Sequence, residues 1–152
     1  MIIPDEVEFN GTMYPVTRIY DFFRDNQTIT SLTLSNNITY LPDYAFSGMS
    51  KLKTIKLPSE LEQIGYYAFY GCQSLEEINI PSKTTQIYAN AFDLCPKLAK
   101  VYIPISVERV DYSAFDDFPR QIYCEATSRP DTWDSSWTLR EDNVIWGYVK
   151  TE

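Results

Sequence analysis

A chain of 152 residues with 44% apolar and 22% charged side chains has the size and composition of one folded domain. Its 21 acidic against 13 basic residues leave a net charge of −8, which repels phosphate backbones and anionic bilayers and so argues against nucleic acid and membrane surfaces as partners. With no histidine, the chain lacks the commonest general base and metal ligand, and three cysteines without a Cys-x-x-Cys pair give neither a zinc signature nor an evident disulfide framework.

No apolar run approaches the ~20 residues of a membrane helix, and Met1-Ile-Ile-Pro4 has neither the basic start nor the apolar stretch of a signal peptide. Glu6–Phe9 and Thr12–Val16 flank Asn10-Gly11, the strongest two-residue hairpin turn, because both residues tolerate positive φ. Ile3-Pro4 resembles the end of a strand that recurs further on. An eight-residue hairpin inserted in that coil accounts for its offset from the later copies. Residues 1–18 are therefore read either as an N-terminal cap or as the cut end of a longer array.

The recurring stretch is clearest at Leu75-Glu-Glu-Ile78-Asn-Ile80-Pro81. Copies stand 23 residues earlier, at Leu52-Lys-Thr-Ile55-Lys-Leu57-Pro58, and 23 later, at Leu98-Ala-Lys-Val101-Tyr-Ile103-Pro104, with a fainter one at Ile29–Ser35. A fixed period of this length belongs to leucine-rich-repeat solenoids rather than to a globule with one central core. The fold expected is a β-rich solenoid of 23-residue repeats over residues 19–118, with a parallel ladder on a concave face. Its columns hold to the residue: Phe23, Phe46, Phe69, Phe92 and Phe115; Ala45, Ala68, Ala91 and Ala114; Leu41, Ile64, Ile87 and Val110; Ile29, Leu52, Leu75 and Leu98. The alanine beside each Phe implies a tight turn where a larger side chain would strike the next coil.

Alternation within each strand turns Ile55, Leu57, Ile78, Ile80, Val101 and Ile103 inward. Thr54, Lys56, Glu77, Asn79, Lys100 and Tyr102 then lie outward, side by side on one open sheet, with Ser31 and Thr33 in the faint copy. This face is chemically mixed, with no aromatic platform beyond Tyr102. The proline after each strand lacks an N–H and ends the ladder. After Phe118-Pro119 the composition changes: all three tryptophans, Trp133, Trp137 and Trp146, fall in residues 119–152, which are read as a cap over the last coil.

The columns resemble the BspA-type, or treponemal-type, leucine-rich repeat, whose motif runs I-G-x-x-A-F-x-x-C-x-x-L-x-x-I-x-I-P. Ile64-Gly65-Tyr-Tyr-Ala68-Phe69-Tyr-Gly-Cys72-Gln-Ser-Leu75-Glu-Glu-Ile78-Asn-Ile80-Pro81 is the best copy. The resemblance extends to the hairpin and the Trp-rich tail, and so covers nearly the whole chain. The sequence departs from the motif in places. Glycine follows the Ile64 column only at Gly65, the cysteine column keeps only Cys72 and Cys95, and Thr84 replaces an apolar residue found at Ile38, Leu61 and Val107. The last coil reaches Ile122 two residues early. The resemblance implies a mostly bacterial family, often secreted or surface-anchored, with several adhesins and no catalytic residues.

Each candidate site has a plainer reading beside the functional one. Cys72 and Cys95 share one buried column and read as core thiols rather than a redox pair. The tryptophans read as packing before they read as a sugar-stacking platform. Asp116-Asp117, Asp111 and the Glu60/Glu62 pair match no calcium loop and read as solvated turns rather than a glycosidase dyad. Three Asn-x-Thr sequons, at Asn10, Asn26 and Asn37, read as turn residues. The expected function is a non-catalytic module that binds a protein through Thr54, Lys56, Glu77, Asn79, Lys100 and Tyr102, without cofactor or metal and as a monomer. It is expected at a cell surface or secreted, as part of a longer precursor. The alternatives are a carbohydrate-binding module using cap aromatics or tyrosines, and a structural spacer in a longer array.

Overall fold

The computed structural model describes residues 1–115 and 121–149; Asp116-Asp117 and the expected repeat end at Phe118-Pro119 lie outside them. Strands β1 (Glu6–Phe9) and β2 (Thr12–Pro15) pair antiparallel around Asn10 (φ 50°) and Gly11 (φ 76°). Every residue of both strands is exposed, so the hairpin stands off the core. Ahead of it, Ile2 bridges Thr33 in parallel and the Ile3 N–H donates to the Thr33 carbonyl (2.8 Å), which sets Met1–Ile3 alongside Thr33.

Each following coil contributes two short strands. They are β3 (Ser31–Thr33) and β4 (Tyr40–Leu41), β5 (Thr54–Lys56) and β6 (Gln63–Ile64), β7 (Glu77–Asn79) and β8 (Gln86–Ile87), β9 (Lys100–Ile103) and β10 (Arg109–Val110). β11 (Gln121–Cys124) and β12 (Val144–Trp146) extend the first series. The first member of each pair builds the front sheet, parallel and in the expected register: Leu32 faces Ile55, and Ile78 faces Val101. The second members build a side sheet, β4-β6-β8-β10, with Leu41, Ile64, Ile87 and Val110 aligned and all buried. Alternation does not announce this second ladder, because two residues are too few to show a period.

The front sheet departs from the expected single ladder. β3 and β5 pair with each other, and β7, β9, β11 and β12 form a separate sheet; β5 and β7 lie adjacent without sharing a ladder. The parting shows in burial: Leu32, Ile78, Val101 and Ile122 are buried, whereas Ile55 in the same column is only partly covered.

The core is a stack of columns. Phe46, Phe69, Phe92 and Phe115 are fully buried, with successive ring centroids 5.2, 4.9 and 5.0 Å apart, and Phe23 joins at 5.8 Å. Ala45, Ala68, Ala91 and Ala114 beside them are fully buried. Two turn columns hold left-handed backbone: Tyr44, Tyr67, Asn90 and Ser113 (φ 53–60°), and Asp25, Gly48, Gly71 and Leu94 (φ 54–71°). Beyond residue 120 the coil bonding continues. The Asp134 N–H donates to the Val110 carbonyl as that of Asp111 does to Ile87, and the Phe115 N–H donates to Trp137 as that of Phe92 does to Ala114. Trp133 thus stands in the Leu41 column and Trp137 in the alanine column, both buried and edge-on to each other at 5.0 Å.

Candidate functional site

The front sheet carries all six side chains expected to face outward. Thr54 and Lys56 are exposed on β5, and the Thr54 hydroxyl donates to Ser31 Oγ (3.0 Å) across the β3–β5 pair. Glu77 and Asn79 are exposed on β7, with Asn79 Nδ2 donating to Glu77 Oε1 (2.9 Å). Lys100 and Tyr102 sit opposite them on β9, in register Glu77 to Lys100 and Asn79 to Tyr102. Opposite charges directly across a parallel pair are mildly favourable.

The parting between β5 and β7 opens a cleft of about 490 Å³. Ile55 and Ala99 give it apolar lining, and Thr54, Glu76, Glu77, Asn79 and Lys100 supply polar groups. Four of the six expected residues therefore line one cavity, while Lys56 and Tyr102 do not line it. Sequence reasoning missed Ile55 and Glu76, because an unbroken ladder buries the first and places the second before the strand.

The expectation of no aromatic platform beyond Tyr102 is overturned. Tyr102 stacks on Tyr123 of β11 (4.9 Å, 11°), and Tyr148, just past β12, lies 4.8 Å from Tyr123 and 5.7 Å from Tyr102. The physical cause is the short last coil: Val101 pairs with Ile122 and not with residue 124, which brings Tyr123 into the Tyr102 position. Burial first, then the nearby Glu77 carboxylate, raises the Tyr102 phenol above its ordinary range, so it stays protonated and able to donate. Trp133 and Trp137, by contrast, are buried and present no stacking surface.

The cysteines are buried, and no cluster of three or more cysteine, aspartate or glutamate side chains suited to a metal ion occurs among the described residues. No helix of the described residues is long and apolar enough to cross a membrane.

Residues 17–123 match the family profile of the BspA type leucine rich repeat region in six copies. The chain belongs to the BspA-type leucine-rich repeat family. Solved structures support the same fold. A leucine rich cell surface protein from Faecalibacterium prausnitzii A2-165 is 30% identical over 75% of this chain and 28% of its own, with a TM-score of 0.65. A leucine-rich repeat protein from Bacteroides ovatus ATCC 8483 is 25% identical over 88% of this chain and 34% of its own, with a TM-score of 0.67. The pneumococcal vaccine antigen PcpA, at 22% identity and a TM-score of 0.63, shares the fold. The chain spans about a third of the length of these three proteins. No curated protein is significantly similar to it. BspA-type repeats are typical of protein-interaction modules on bacterial surfaces, and leucine-rich repeat proteins are generally non-catalytic.

Proposed function

We propose that this BspA-type chain is a non-catalytic adhesin module, displayed at a bacterial surface within a longer protein, that binds a protein ligand through its front sheet. The observation that carries the reading is the cleft at the parted ladder. It offers an apolar floor at Ile55, polar groups on its walls, and an aromatic patch on the same sheet at Tyr102, Tyr123 and Tyr148. Interfaces of proteins combine an apolar anchor pocket, tyrosine and a polar rim in this way. An open parallel sheet face is itself unusual, since most parallel sheets are covered on both sides. The neighbour described as a cell surface protein supports the location.

The test is a binding array of matrix proteins and glycans, probed with the chain and with a quadruple variant, Lys56→Ala, Glu77→Ala, Lys100→Ala and Tyr102→Ala. Binding of a protein ligand that drops at least about tenfold in the folded variant supports the front-sheet site, since a central interface cluster carries ~2 kcal/mol or more. Protein binding that the variant retains rejects that site, and binding of glycans alone would make this a carbohydrate module.

A further inference from the structure

Outside the front sheet the chain holds two of its arginines in the same way. Arg109 of β10 has its guanidinium carbon 5.8 Å from the centroid of the Tyr88 ring and its Nε 2.6 Å from Asp111 Oδ1. Arg24 lies 5.0 Å over the Tyr44 ring and 3.8 Å from an Asp25 oxygen. Each guanidinium sits between an aromatic face and a carboxylate. A planar, weakly hydrated cation exploits that setting better than an ammonium does.

A third place has rings and a carboxylate, and although Arg109 lies near enough to Tyr66 to interact with it, no arginine among the described residues is ion-paired to this carboxylate. Asp43 Oδ1 accepts the Tyr66 N–H (2.9 Å) and the Tyr40 hydroxyl (3.3 Å). Tyr40 and Tyr66 are 42% and 37% exposed, and Tyr66 packs at 4.8 Å on Tyr88, the ring that Arg109 covers. None of the ion pairs among the described residues includes Asp43. Beside Tyr40 a hollow of about 340 Å³ opens, bounded by Ile19, Tyr20 and Pro42, with Arg18 also on its rim. Tyr20 is itself 59% exposed there.

We propose that Tyr40, Asp43 and Tyr66 form a seat for an arginine side chain of a protein partner, a second contact surface on the side sheet that goes beyond the front-sheet reading. The guanidinium stacks on Tyr66 or Tyr40 and donates to the Asp43 carboxylate, as Arg109 donates to Asp111 beside Tyr88. The net charge of −8 favours a basic partner over an acidic one. Sugars also stack on tyrosine, but the two internal examples on the same molecule are both guanidinium groups paired to a carboxylate.

Fluorescence anisotropy with a labelled nonapeptide of alternating glycine and arginine tests this, alongside its lysine and citrulline counterparts. Asp43→Asn removes the charge and keeps an acceptor for the Tyr66 N–H. Tyr66→Ala introduces the residue that the same column carries at Ala89, so the coil geometry tolerates it; a thermal melt confirms folding of both. The arginine peptide should bind about tenfold tighter than the lysine peptide, and each substitution should weaken it about tenfold. The quadruple front-sheet variant should bind it like the parent. Equal affinity for arginine and lysine peptides, or no effect of Tyr66→Ala, would reduce the contact to bulk charge attraction and overturn the proposal. So would loss of binding in the front-sheet variant, no binding of the arginine peptide, or Tyr66-dependent binding of a glycan array without it.

Discussion

At the scale of single residues, Thr84 shows how a core column absorbs a polar side chain. It stands where Ile38, Leu61 and Val107 are apolar and is fully buried, yet its hydroxyl donates to the Leu61 carbonyl one coil back (2.9 Å), so no polar group is left unpaired. Cys72 and Cys95 use the same device, with their thiols 3.2 and 3.1 Å from the Phe46 and Phe69 carbonyls. The contact with Cys95, followed by burial, holds the Cys72 thiol well above its ordinary range, and burial pushes Cys124 up to about 12. Both are therefore neutral at pH 8, and thiolate is the reactive form. A thiol–disulfide exchange dye should leave the native protein unmodified over minutes at pH 8 and label three thiols once it is denatured. Fast labelling of the native chain would show that the column opens readily.

At the scale of elements, one exposed aspartate ties the hairpin to the array and another closes a local turn. Asp5 at the hairpin base accepts the Asn36 N–H (2.7 Å), and Asp134 in the last coil accepts the hydroxyl and N–H of Ser136 (2.7 and 2.8 Å). The Asn36 N–H chiefly lowers the Asp5 carboxyl below 3.8, and the Ser136 hydroxyl does the same for Asp134. A depressed folded value contributes stability that is present above the ordinary carboxylate range and lost as the pH falls through the lowered value. Asp5→Ala and Asp134→Ala should each melt slightly below the parent at pH 6, with the gap closing below pH 3.8; a gap that persists unchanged at pH 2 would rule out the charge as its origin. Much of the fold at this scale was legible, since Phe, Ala and Ile columns repeat at a spacing only stacked coils explain. The rest was not, for specific reasons. The side-sheet strands are too short to alternate visibly. Tyr123 enters the front face only through a register slip whose effect on facing residues needs the paired strands. The parting at Ile55 leaves no trace in a column that reads the same on either side.

On the scale of the whole molecule, contacts run from coil to neighbouring coil, so a side chain's worth depends on its place along the axis. Phe69 packs between Phe46 and Phe92 and is fully buried, whereas Phe23 touches Phe46 and is only partly covered. In urea unfolding, Phe69→Ala should cost about 3–5 kcal/mol and Phe23→Ala clearly less. Equal losses would mean that the first coil is as tightly held as the middle. The left-handed column of Tyr44, Tyr67, Asn90 and Ser113 has a further consequence, for redesign. Tyrosine at positive φ costs ~1–2 kcal/mol relative to glycine, and asparagine, already present at Asn90, bears that backbone more easily. A thermostabilised scaffold built by regularising the coils would therefore exchange Tyr44 and Tyr67 early. It would gain a higher melting temperature and lose the stacked rings, 5.1 Å apart, on which Arg24 rests. In this solenoid the most stable turn and the most aromatic surface compete for the same positions.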